Sequence, residues 1–90
     1  MELEWRLFAD LKEYAGRGQV VVEVDDGASV GEAVAALVAA EPALEGRVID
    51  DDGAVQEHLN VLRNGENAAL DAPVERGDEL ALFPPVSGGQ

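Results

Sequence analysis

The sequence predicts an α+β fold: a mixed sheet of four to five strands with one main helix on one face. Three observations carry that expectation. Residues 2–9 alternate, with Leu3, Trp5 and Leu7 on one side and Glu2, Glu4 and Arg6 on the other, as in a strand with one buried face. Val30, Ala33, Val34, Leu37 and Val38 recur at the spacing of a single helical stripe. Asn64-Gly65 is the pair that a type I′ hairpin turn favours, because both central positions need positive φ.

The elements follow in order. In the first strand Phe8 falls on the polar-facing side, so it is either partly exposed or covered by another segment. Asp10-Leu11-Lys12-Glu13 reads as a helix start with Asp10 as N-cap, and Gly16 and Gly18 end that short helix. Residues 19–24 are rich in β-branched side chains and make the second strand, closed by Asp25-Asp26-Gly27. Ser29 and Glu32 have the spacing of a capping box at the head of the main helix. Glu41-Pro42 ends that helix, since the residue before proline is disfavoured in α geometry. A further turn is expected at 43–46, an acidic turn at 50–53 and a third strand over 58–63. The hairpin turn leads into a short strand around 67–70, and after the turn Arg76-Gly77-Asp78 the last strand runs over 79–83.

The first two strands are too close in sequence for a helical crossover and should pair as a hairpin. The last strand should lie beside the first. This is a β-grasp, or ubiquitin-like, arrangement over residues 1–83. Its expected core is Trp5, Leu7, Val20, Val22, Val34, Leu37, Leu59, Val61, Leu80 and Leu82, with the facing of Leu59 and Val61 less firmly set by the pattern.

Composition narrows the function. Ninety residues allow one small domain. Nineteen acidic residues against six basic ones give a net charge of −13, a surface that repels nucleic acid and anionic membranes. With Lys12 as the only lysine, that balance points to a halophilic protein whose self-repulsion is screened by salt. The absence of cysteine excludes disulfides, thiolate metal sites and a thiol nucleophile. No run has the length of a membrane span and no signal peptide is evident, so a cytoplasmic protein is expected.

Competing chemistry is thin. Ser29 is accounted for as a cap and Ser87 lies near the chain's end, while the lone His58 has no evident nucleophile beside it. Asp50, Asp51 and Asp52 are contiguous and lack the alternate spacing of a calcium loop, so no metal is expected. Phe8 and Phe83 form either an exposed apolar patch for a partner or part of the core.

The informative stretch is Phe83-Pro84-Pro85-Val86-Ser87-Gly88-Gly89-Gln90. Proline has no N–H to extend a ladder, so the chain should leave the sheet at Pro84 as a stiff arm, residues 84–90 forming an extended, flexible tail. Such an arm reaches roughly 20 Å from the body by Gly89. Gly88 and Gly89 carry no Cβ and pass where no other residue fits. A slender tail on a rigid body suits delivery of a C-terminal carboxyl into another protein's active site; the alternative is a frayed terminus.

Together, Leu7-Phe8-Ala9-Asp10-Leu11, Asn64-Gly65-Glu66, Gly77-Asp78-Glu79-Leu80 and the Phe-Pro-Pro-Val-Ser-Gly-Gly ending resemble the ThiS-like sulfur-carrier family. That family includes the molybdopterin synthase small subunit and, nearest to this pattern, the small archaeal ubiquitin-like modifier proteins. The resemblance covers nearly the whole chain.

It implies a carrier and not an enzyme. An E1-like partner would use ATP to adenylate the carboxylate of Gly89, with Gly88 as the slender approach and Pro84, Pro85, Val86 and Ser87 presenting the tail. The product would be a thiocarboxylate handed to a sulfur-accepting enzyme, or an isopeptide bond to a target lysine. The chain's own Lys12 is a candidate for self-modification. One alternative is a dedicated small subunit of molybdopterin synthase, docked on the large subunit. Another is a non-catalytic β-grasp interaction domain. The family's reactive glycine is the last residue, whereas here Gln90 follows. Removal of Gln90 by a protease is the first reading; others are that it is tolerated, that the chain is an inactive relative, or that Gln90 is not native.

Overall fold

The computed structural model describes residues 1–84. The tail assigned to 84–90 therefore lies outside the described residues from Pro85 onward, and with it the presenting and reactive positions Pro85, Val86, Ser87, Gly88, Gly89 and Gln90.

Among the described residues five strands make the sheet: β1 (Glu2–Leu7), β2 (Gln19–Glu23), β3 (Asn60–Arg63), β4 (Glu66–Asn67) and β5 (Glu79–Phe83). Their spatial order is β2-β1-β5-β3-β4. β1 runs antiparallel to β2 and parallel to β5, and β3 is antiparallel to both β5 and β4. The described residues also form the helices α1 (Ala9–Ala15), α2 (Val30–Ala40) and α3 (Glu45–Val48), the last preceded by a 3-10 turn over Pro42–Leu44. The parallel pairing of the first and last strands, with α2 over one face, is the β-grasp arrangement.

Alternation decides which face is covered. Leu3, Trp5 and Leu7 of β1, Val20 and Val22 of β2, Val61 of β3 and Leu80 and Leu82 of β5 are buried against Val30, Ala33, Val34 and Leu37 of α2. Trp5 has no exposed surface, and its indole Nε1 donates to the Ala33 carbonyl at 3.1 Å, so the largest core side chain leaves no polar atom unpaired. α2 starts at the expected capping box: Glu32 N donates to Ser29 Oγ at 3.1 Å and Ser29 N to Glu32 Oε1 at 2.8 Å. The Asn64-Gly65 turn has φ of 52° and 87°, as a type I′ turn requires.

Five expectations need correction. Asp10 does not cap α1; Phe8 is the N-cap residue and no side chain caps that end. The helix opens two residues early because Ala9 takes φ 54° directly after the extended Phe8, which leaves Asp10 inside the first turn. The third strand is Asn60–Arg63 and not 58–63, so His58 lies exposed in a turn. Leu59 is only partly buried, packed on the core's margin. The fourth strand is Glu66–Asn67 and ends before 68–70, because that chain turns to cap α2: the N–H groups of Gly31 and Val30 donate to the carbonyls of Leu70 and Ala72, both at 2.8 Å. The core is also wider than expected, taking in Leu3, Leu11, Ala28, Leu44, Val48 and Val74.

Among the described residues no helix is long and apolar enough to cross a membrane, and no cluster of His, Asp and Glu side chains is arranged to hold a metal ion.

Candidate functional site

The site grows from the register of two parallel strands. β1 and β5 pair Trp5 with Leu80 and Leu7 with Leu82, all four facing the core. One residue further along each chain the side chains point to the opposite face. Those residues are Phe8, still extended at φ −132° and ψ 156°, and Phe83, the last residue of β5. Their rings stack with centroids 4.2 Å apart and planes 3° from parallel. Phe8 keeps 37% of its surface exposed and Phe83 is partly buried, so neither ring belongs to the buried core. Pro84, the first residue of the tail segment, follows the stack directly.

The start of β5 is anchored by a buried carboxylate. Asp78, 8% exposed, accepts hydrogen bonds from Arg63 Nε at 2.5 Å, Asn64 Nδ2 at 2.9 Å and the Glu75 backbone N–H at 2.7 Å. Asn64 in turn accepts from Glu79 N at 3.0 Å through its side-chain oxygen. Burial pushes the Asp78 carboxyl up; the hydrogen bonds from Arg63, Asn64 and Glu75 and the Arg63 charge outweigh it and hold the group below its ordinary value. The same pairing raises the Arg63 guanidinium. The turn that begins β5 is thereby tied to the hairpin between β3 and β4, so the strand that ends at Phe83 is held at its far end.

Two further features border the stack. Lys12, exposed on α1, shares an open hollow with Phe8, Ala9 and Gly18. Across the tail exit, Pro84 shares a second hollow with Asp10, Leu11, Arg47 and Leu59. Arg47 lies over the Tyr14 ring, 4.3 Å from its centroid, and donates to the Tyr14 hydroxyl. Sequence reading missed Tyr14 and Arg47, which are separated by 33 positions and carry no local signal of meeting.

The remaining candidates are placed elsewhere. Ser29 is engaged as a cap. The 50–53 turn is organised by Asp50, whose Oδ1 accepts from Asp52 N and Ala54 N. The structure brings together Phe8, Phe83, Pro84 and Lys12; Gly88, Gly89 and Gln90 lie beyond the described residues.

The described part of the site offers a flat aromatic surface, two cationic side chains nearby and the residue at which the tail segment begins.

Comparison with known proteins places this arrangement. The model of the ThiS family matches residues 5–89. Small archaeal modifier protein 1 of Haloferax volcanii is 63% identical over 87 residues, covering 97% of this chain and 100% of that protein. The molybdopterin synthase sulfur carrier subunit of Chlamydomonas reinhardtii is 33% identical over 89 residues, covering 99% of this chain and all of the other. The crystal structure of the Haloferax volcanii modifier superposes with a TM-score of 0.95 at 62% identity, over 99% of this chain and 100% of that one.

Proposed function

This chain belongs to the ThiS family, and we propose that it is a ubiquitin-like modifier and sulfur carrier whose reactive group is the carboxylate of Gly89. The observation that carries the reading is the stacked Phe8–Phe83 pair standing at the root of a Pro-Pro-Val-Ser-Gly-Gly tail. The near-complete likeness to a small archaeal modifier protein supports it. The family match runs through Gly89, the residue to which this reading assigns the reactive carboxylate, and removal of Gln90 before activation is part of the same proposal.

The tail's chemistry follows from what a carboxylate lacks. It is a poor electrophile until one oxygen becomes part of a good leaving group. An E1-like partner supplies this by directing a Gly89 carboxylate oxygen to the α-phosphorus of ATP, releasing pyrophosphate. A sulfur nucleophile or a lysine amine then attacks the acyl carbon, and AMP departs with the electrons of the broken C–O bond. Phe8 and Phe83 dock on the partner and aim the arm, while the prolines limit the freedom lost on docking. The carrier is the substrate in these steps and works in the cytoplasm.

The sulfur-carrier likeness favours a second use of the same tail, as the small subunit of a molybdopterin synthase feeding sulfur to a large subunit. Intact mass of the protein from its native cells separates the uses. Loss of Gln90 together with exchange of one oxygen for sulfur supports carriage, and masses of glycyl-lysine adducts support modification. A chain of unaltered mass, with Gln90 retained, contradicts both.

A further inference from the structure

The chain has six basic side chains, and three of them are neutralised by neighbours. Arg6 pairs with Glu79 at 2.8 Å, Arg17 with Glu41 at 3.4 Å and Arg63 with Asp78 at 2.5 Å. Among the described residues, Lys12, Arg47 and Arg76 have no carboxylate in ion-pair contact. In a chain with nineteen acidic residues this is selective. Two of the three lie near the root of the tail segment: Lys12 shares a hollow with Phe8, and Arg47 shares one with Pro84, the residue after Phe83, and with Asp10.

Neither is neutralised by a carboxylate among the described residues. Arg47 rests on the Tyr14 ring and hydroxyl, which fix a guanidinium yet leave its charge intact. The Lys12 stem lies along the backbone at Gly18, where an added Cβ would approach Lys12 Cε to 3.2 Å. Arg76 lies in the turn before β5, and that strand puts about 13 Å between its first residue Glu79 and Phe83.

We propose that Lys12 and Arg47 are specificity contacts for the activating partner, whose docking surface places carboxylates on either side of the hollow that receives Phe8 and Phe83. This deepens, and rests on, the activation reading given above. A carrier of charge −13 is repelled at long range by any acidic partner. Two cations at the contact face turn that repulsion into orientation, favouring approach with the tail toward the active site. Molar salt removes the long-range part, the Debye length falling to about 3 Å, while ion pairs made in contact persist.

The test uses the chain ending at Gly89, its cognate activating enzyme and ATP, with pyrophosphate exchange as readout. Lys12→Glu, Arg47→Glu and Arg76→Glu change the net charge equally, so they differ only in place. The expected result is a KM raised about tenfold by Lys12→Glu and by Arg47→Glu, with kcat little changed, and an Arg76→Glu variant within about twofold of the parent. Arg47→Gln, which keeps a donor toward Tyr14 but no charge, should fall between; melting temperatures confirm that each variant is folded. An active parent with three equally affected reversals, or reversals that lower kcat at unchanged KM, overturns the inference alone. A parent that supports no exchange overturns the activation reading and this inference with it.

Discussion

The ring of Phe8 lies flat on the ring of Phe83, 4.2 Å between centroids, although the two residues stand at opposite ends of the sequence. Parallel pairing of the first and last strands makes that contact, and it puts an aromatic platform where the tail begins. The stack is partly exposed, so it contributes less to folding than a core side chain: Phe8→Ala should cost about 1–2 kcal/mol, pair and burial together. Its effect on activation should be much larger, with KM for adenylation rising at least about tenfold. Melting curves and exchange kinetics on the same variant check this. A variant that activates like the parent would remove the docking role.

Trp5 is the inverse case, buried and remote from the tail's chemistry. Trp5→Ala removes the largest core side chain and the indole's hydrogen bond to the Ala33 carbonyl. The expected loss is about 3–5 kcal/mol, enough to unfold a small domain. Trp5→Phe keeps most of the volume and loses only the hydrogen bond, so urea titration should place it clearly between the two.

Asp78 sets the acid limb of stability. Its folded carboxyl titrates below the ordinary 3.8, so its stabilising contribution is complete well above that value. The contribution is lost as pH falls through the lower folded value, where the carboxylate takes up its proton. Asp78→Asn should therefore be destabilised near neutrality by about 1–3 kcal/mol and approach the parent as pH drops below the carboxyl range. Denaturant midpoints from pH 7 down to the acid limb decide it; parallel curves would show that Asp78 does not drive the pH dependence.

Much of this architecture is legible in the chain, and what is not has physical causes. Period-2 runs gave β1, β2 and β5 their faces, and the Ser29–Glu32 and Asn64-Gly65 signals are local, so the residues that make them also report them. Leu44, Val48 and Val74 are buried from short or irregular segments where no period identifies them. The early start of α1 follows from a left-handed alanine, which composition does not announce. The Asp78 cluster joins residues 14 and 15 positions apart, and its formation needs the β3–β5 pairing first. In the site, Phe8 stood out because it breaks the alternation of its strand. Its meeting with Phe83 needed the register.

Salt should govern the whole molecule. With a charge of −13, carboxylates repel across the surface at low ionic strength. The melting temperature should rise steeply from low to molar salt as screening lengths contract to about 3 Å. A flat dependence would contradict a halophilic design.

Activation of the Gly89 carboxylate by a partner is the step on which the proposed function turns. Pyrophosphate exchange with the cognate activating enzyme, run side by side on chains ending at Gln90, Gly89 and Ser87, tests it most directly. The Gly89-ending chain should exchange fastest. The Gln90-ending chain should be slower by on the order of a hundredfold, because a glutamine side chain displaces the carboxylate in a channel shaped for glycine. The Ser87-ending chain should be folded and inert. Equal exchange by the Gln90 and Gly89 chains would contradict the processing step, and equal exchange by all three, or by none, would contradict activation at Gly89 itself.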